Sequence, residues 1–105
     1  MRAETKATAI SQAVKDAVIR RDDHRCIFCR RWGAPEAHIV RRSQGGLGIE
    51  ENVVCACREC HRAMDEGRDR KYYQRKAEIY MKNHYPDWDR KRLTYKKYML
   101  NKEEF

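Results

Sequence analysis

The chain contains no apolar run that approaches the ~18 residues a membrane span requires. Its start, Met1-Arg2-Ala3-Glu4-Thr5-Lys6, lacks the apolar h-region of a secretory signal. Apolar residues of every kind are scarce, with a mean hydropathy of −1.03 and 38% of the 105 residues charged. That supply fits one domain, or one small core with an extension, and excludes a large multidomain enzyme. Internal repeats, low-complexity tracts and flexible linkers are also missing. Five cysteines without an export signal point away from a disulfide framework and toward a metal site or free thiols. The expectation is a cytoplasmic protein with no membrane partner.

What is present is positive charge. The sequence holds 24 Lys or Arg against 16 Asp or Glu, a net charge of +8, which points to an anionic partner, nucleic acid first. The charge is unevenly placed. Residues 1–66 hold 12 cations against 10 anions, and residues 67–105 hold 12 against 6. All five cysteines lie between Cys26 and Cys60. The centre therefore reads as a metal-stapled unit, and the C-terminal third as the main source of positive field.

Ile10, Ala13, Val14, Ala17 and Val18 recur at the spacing of one helical face, with Ser11 as N-cap and Lys15, Asp16, Arg20 and Arg21 on polar positions. Arg25–Arg30 is too short for a helix and reads as a strand turning through a knuckle. Gly33-Ala34-Pro35 should break the chain, and Glu36–Val40 should form a short strand. Gly45, Gly46 and Gly48 mark a loop. Val53–Ala56 reads as a short buried strand, and Cys57–Asp65 as a helix stopped near Gly67. A further helix is expected from Arg68 to about Asn83, with Tyr73, Ala77, Tyr80 and Met81 along one side. After Pro86, Asp87 should cap a last short helix carrying Trp88, Lys91, Leu93, Tyr95 and Tyr98.

Two Cys-x2-Cys knuckles, Cys26/Cys29 and Cys57/Cys60, stand 27 residues apart. Four thiolates fill a tetrahedral zinc shell, and a two-residue spacer lets one tight turn present two sulfurs to the same ion. Structural zinc contributes folding free energy of order 10 kcal/mol in small peptides, which suits a chain with so little to bury. Cys55 could compete as a ligand, but its setting in Val53-Val54-Cys55-Ala56 favours a small buried thiol.

His38, Asn52 and His61 each have an ordinary reading alone. A histidine is often surface or core decoration, and an asparagine after Glu50-Glu51 often sits in a turn. Their context is less ordinary. His38 precedes the glycine loop, Asn52 follows it, and His61 comes directly after the last knuckle cysteine.

The run Cys26-Ile-Phe-Cys29, Ala37-His38-Ile39-Val40-Arg41-Arg42-Ser43-Gln44-Gly45-Gly46, Glu51-Asn52-Val53-Val54 and Cys57-Arg-Glu-Cys60-His61-Arg62 resembles the HNH endonuclease family. The three residues that name the family match His38, Asn52 and His61 in order and spacing. The resemblance covers roughly residues 20–67 and is to the zinc-braced, four-Cys, phage or bacterial type. It implies a small α+β protein with a treble-clef-like ββα-metal core and structural zinc, flanked here by the N-terminal helix and the C-terminal helical extension that the residue spacing predicts. It also implies one catalytic divalent metal (magnesium, manganese or nickel) and hydrolysis of a DNA phosphodiester.

On that reading His38 is the general base. Asn52 orients the His38 segment, and His61 ligates the catalytic metal. Arg42, and less directly Arg41, contact phosphate oxygens. Many members carry Asp or His just before the base, whereas this chain has Ala37, with no ligating atom. Asp65, one helical turn after His61, and Glu36, two residues before His38, are the replacements, with Asp65 preferred. Water and phosphate could also complete a single-His site.

The expected organisation is an N-terminal helix over 1–21, a nuclease core over 22–67 and a basic aromatic extension over 68–105. In that extension Arg68, Lys71 and Arg75 are expected to grip DNA, while Tyr73, Tyr80 and Trp88 pack inward. Expected partners are DNA and phage packaging or replication proteins, in a bacterium or a phage-infected host. The competing reading is a zinc-braced DNA-binding or adaptor module without cleavage, which Ala37 supports.

Overall fold

Ser11 carries the short hydroxyl that satisfies a first-turn amide. In the computed structural model, which describes residues 3–96, its Oγ accepts the Val14 N–H at 3.2 Å and helix α2 runs Gln12–Asp22. A separate short helix, α1 (Ala3–Thr8), precedes it, so two helices stand where one was expected. The inner face of α2 also differs from the expected one. Val18 is fully buried, with Ile10, Val14 and Ile19 packed around it, but Ala13 is exposed.

Arg21, placed on the polar face by periodicity, turns inward instead. It pairs with Asp22 at 2.7 Å and donates to the carbonyls of Glu50 and Val53, each at 2.6 Å. Asp22 lies at the C-terminal end of a helix, where a negative charge is unfavourable. It is buried all the same, because Arg21, the Tyr80 hydroxyl and the Cys55 N–H all donate to it. This cluster ties α2 to the elements that follow.

A two-stranded antiparallel sheet forms from β1 (Ala34–His38) and β2 (Val53–Ala56). Ala37 faces Val54 and His38 faces Val53, with an irregularity between Ala34 and Ala37. Ala34 and Pro35, expected to break the chain, therefore belong to the strand. Proline lacks the N–H a regular ladder needs, and it is accommodated at the irregularity. All four residues of β2 are buried because the strand separates two apolar clusters. Val53 and Cys55 face Val18 of α2, while Val54 and Ala56 face the larger cluster, as the two-residue period of a strand requires.

Helix α3 (Arg58–Glu66) starts at the cap residue Cys57 and stops at Gly67, as expected. Helix α4 (Arg70–His84) packs on it. Ala77 and Met81 are fully buried beside Met64, and Tyr73 and Tyr80 sit at the cluster edge. Trp88 and Leu93 enter this same cluster together with Cys26 and Val54.

The segment after Pro86 is not the helix expected there. It holds a single 3-10 turn, Arg90–Arg92, whose cap is Asp89 rather than Asp87. Its backbone bonds elsewhere: Leu47 N–H donates to Leu93 O at 2.7 Å and Tyr95 N–H to Gly45 O at 2.6 Å. Trp88 Nε1 donates to Glu51 O at 2.7 Å, which pins the segment across the glycine loop. Tyr98, expected on that helix, lies outside the described residues. Among the described residues no helix is long and apolar enough to cross a membrane.

Candidate functional site

The two knuckles converge. The sulfurs of Cys26, Cys29, Cys57 and Cys60 all lie within 4.8 Å of one another, and those of Cys29 and Cys57 are 3.6 Å apart. Sulfurs bound tetrahedrally at about 2.3 Å would stand about 3.8 Å apart, so the four are placed to hold one metal ion. Local structure prepares them. Cys57 caps α3, its sulfur accepting the Cys60 N–H at 3.4 Å. In the first knuckle Arg30 N–H donates to Cys26 O at 2.9 Å, and Cys26 N–H to Arg31 O at 2.6 Å.

The electrostatics ask for a cation. Burial would raise Cys26, but the N–H groups of Cys29, Cys57 and Phe28 overcome it and bring the thiol down to about 7. The Arg31 N–H lowers Cys29, yet burial and the neighbouring thiols Cys26 and Cys57 leave it raised. Burial, with Cys57 and Cys26 alongside, raises Cys60. Four thiolates at this spacing repel one another unless a cation joins them. Cys55 is not among them. It is fully buried on the face of β2 that packs against α2, and burial together with Asp22 pushes its thiol up to about 12. It is the buried thiol its flanking residues suggested.

Asn52 is fully buried in the turn before β2 and joins two backbone segments. Its Oδ1 accepts Val40 N–H at 2.8 Å, and its Nδ2 donates to Val40 O at 3.2 Å and Leu47 O at 2.8 Å. Ile39 N–H donates to Asn52 O at 2.8 Å. The residues just after His38 are thus clamped to the glycine loop. Gly46 lets that loop close, since a Cβ there would collide with the Val40 carbonyl. Likewise a Cβ at Gly48 would strike the Ala9 carbonyl, so glycine there lets the α1–α2 junction lie on the loop.

That junction reaches His38. The ring Nε2 lies 2.9 Å from the Thr8 carbonyl, and since a carbonyl only accepts, Nε2 carries the hydrogen. Burial lowers the His38 pKa below the usual histidine value. The Thr8 and Glu36 carbonyls act against that, and Arg42 and His61 act with it. His38 lines a shallow groove with Ala9, Ile10, Lys15, Glu36 and Arg42. Arg42 is engaged by the same N-terminal helix, donating to Thr8 Oγ1 at 3.0 Å and Thr5 O at 3.2 Å.

His61 and Asp65 line a second groove with Arg41, Arg58, Arg62 and Glu66. His61 Nε2 and Asp65 Oδ2 are 3.4 Å apart, close to the separation of two ligands bound to one ion at about 2.1 Å. The other carboxylate oxygen of Asp65 is buried with no hydrogen-bond partner. Burial raises the Asp65 pKa, with His61 and Arg41 opposing. The donors fit a divalent ion in kind and spacing, but there are two of them. Among the described residues only the four-Cys site gathers three or more ligating groups. Ala37 is fully buried, and Glu36 lies in the groove of His38 rather than that of His61. Arg41 and Arg42, adjacent in sequence, fall one in each groove.

Arg68, Lys71 and Arg75 are exposed. Arg68 and Lys71 share a shallow groove with Tyr72, and Lys71 and Arg75 share another with Lys82 along α4. Two supports escaped sequence reasoning. Gln74, buried on the inner face of α4, donates to Ile39 O at 3.0 Å and Met64 O at 3.2 Å. A polar residue beside Tyr73 and Ala77 was its visible signal. The Thr8 carbonyl had none, because a backbone group is the same at every position. Compared with known proteins, the chain matches no protein-family model, no curated protein and no solved structure.

Proposed function

We propose that the protein is a metal-dependent DNA endonuclease of the HNH type, with β1, β2 and α3 as its ββα-metal core and zinc at the four cysteines. The observation that carries this reading is the Asn52 clamp, three side-chain bonds that fix the segment immediately after His38. A general base must be held within a fraction of an ångström of its working position, and a buried amide does this without introducing charge.

The residues divide the work as follows. His38 donates Nε2–H to Thr8 O, so the neutral ring keeps its lone pair on Nδ1, where it takes a proton from the attacking water. Its lowered pKa keeps the ring in this basic form at neutral pH. His61 and Asp65 are the residues that would hold the catalytic metal. When bound there, a divalent ion supplies charge neutralisation at the scissile phosphate and the leaving oxygen. Arg41 lines the His61 groove and Arg42 the His38 groove, and Arg42 exchanges its bonds to α1 for bonds to phosphate oxygens. Arg68, Lys71 and Arg75 add non-specific grip on the DNA backbone. The setting proposed is the cytoplasm of a bacterium or a phage-infected host.

One observation favours a second reading, a zinc-braced DNA-binding module that does not cut. The proposed catalytic site has two protein ligands, and Ala37 adds none. Incubation with supercoiled plasmid in magnesium, manganese or nickel separates the readings. Nicking should appear, disappear with EDTA and with His38→Ala, and leave the structural zinc in place. The acid limb of the rate profile should fall below pH 6.5, the ordinary histidine value, because a lowered pKa keeps the base unprotonated further into acid. Tight DNA binding without cleavage in any of the three metals would remove the enzyme reading.

A further inference from the structure

The first knuckle carries a surface that the cleavage mechanism does not use. Trp32 is 66% exposed, the most exposed of the large hydrophobic residues among the described residues. Its ring is nevertheless held. It rests on His24, with centroids 4.9 Å apart and planes inclined at 32°. His24 is fixed in turn: its Nδ1–H donates to Gly33 O at 2.8 Å, its backbone N–H to Ile19 O at 3.1 Å, and its carbonyl accepts the Gly33 N–H at 3.1 Å. One face of the indole therefore has a rigid backing and the other is open.

Three arginines belong to the same hairpin as Trp32. Arg25 is the antiparallel bridge partner of Trp32, a pairing that puts both side chains on one side. Arg30 and Arg31 precede Trp32 directly, and all three arginines are exposed. Arg25 pairs with Asp23 at 3.5 Å, whereas no salt bridge engages Arg30 or Arg31 among the described residues. Arg30 also occupies a left-handed conformation at φ +70°, which glycine adopts with less strain. The turn thus keeps a guanidinium where its backbone geometry favours the smallest residue.

We propose that this knuckle binds DNA at an unpaired base, which stacks on the open face of Trp32 while Arg30 and Arg31 hold the adjoining phosphates. Indole offers a flat surface that any base can cover, and the flanking cations match the backbone on either side. A paired base hides its faces within the helical stack, so the contact selects single strands, gaps, flaps or extruded bases over intact duplex. The inference rests on the DNA-partner part of the reading above and is independent of cleavage.

The test is a fluorescence and anisotropy titration of the zinc-loaded full chain without added magnesium, using a labelled 12-nucleotide single strand and its duplex. Trp88 is buried, so quenching by the single strand should come from Trp32 and vanish in Trp32→Ala. That variant should lose about fivefold or more in single-strand affinity, the lower end expected for one stacked base, and less than about twofold for duplex. Trp32→Phe should recover part of the loss. Arg30→Gly should keep or raise the melting temperature while weakening single-strand binding, an outcome a merely structural role would not give. Equal binding by Trp32→Ala and the parent, equal losses on both DNA forms, or quenching that persists without Trp32 would each overturn the proposal. A parent chain that binds neither DNA would overturn the DNA-partner reading along with it.

Discussion

Asn52→Ala removes one amide and three hydrogen bonds, at 2.8, 3.2 and 2.8 Å. Each contributes about 1 kcal/mol net, and the groups left behind, Val40 N–H and Leu47 C=O, lose their only side-chain partner. The expected loss is about 3 kcal/mol, a large share of the roughly 5–15 kcal/mol that holds a domain together. At about 4–8 °C per kcal/mol for a domain of this size, the melting temperature should fall by roughly 12–24 °C. Urea titration with zinc kept saturating measures the loss, because metal release would otherwise distort the transition. Asn52→Asp sharpens the test. It keeps the acceptor for Val40 N–H but turns an oxygen toward the carbonyls of Val40 and Leu47, so at pH 7 it should lose at least as much as alanine. At temperatures where both variants stay folded, plasmid cleavage should still be impaired, because His38 is then held on one side only. A loss below about 1 kcal/mol for Asn52→Ala, or an Asn52→Asp chain as stable as the parent, would refute the clamp.

Cys57→Ser isolates the metal from the helix cap, since serine caps a helix as well as this cysteine does but is a poor zinc ligand. Zinc content should drop and cooperative unfolding should disappear at 25 °C, because structural zinc contributes about 10 kcal/mol. A variant that kept its melting temperature by circular dichroism would show that the four-Cys site is misread. Cys55, with its thiol pushed up to about 12 and fully buried, should resist maleimide in the zinc-loaded native protein at pH 7.5 and react once urea unfolds the chain. Rapid labelling in the native state, located by mass spectrometry, would contradict its burial.

Much of the fold was legible because local chemistry decides it. Ser11 caps α2, Cys57 and Gly67 bound α3, and Tyr73, Ala77, Tyr80 and Met81 mark the inner side of α4. The failures share a cause. Arg21 read as a polar helix position, yet it turns inward to Asp22, which is buried because Tyr80 and Cys55, far along the chain, complete its hydrogen bonds. Pro35 read as a breaker, but a two-stranded sheet with an irregular register has room for it. The final helix was expected from Asp87, Leu93 and Tyr95, whose backbone groups or neighbours pair instead with the glycine loop.

From the residues alone came the two knuckles, the glycine loop, and the order of His38, Asn52 and His61. Each is a matter of residue type at short separation, which sequence records directly. Tertiary structure alone decided that the knuckles bring four sulfurs within 4.8 Å and that the Thr8 carbonyl takes His38 Nε2. It alone placed His38 and His61 on separate grooves, with Arg42 lining the first and Arg41 the second. The relations between the knuckles, between Thr8 and His38 and between His38 and His61 join residues 20 or more positions apart, and some pass through backbone atoms that every residue shares. No local pattern encodes them; the packing of α2 and α3 on the sheet, and of α4 on α3, does.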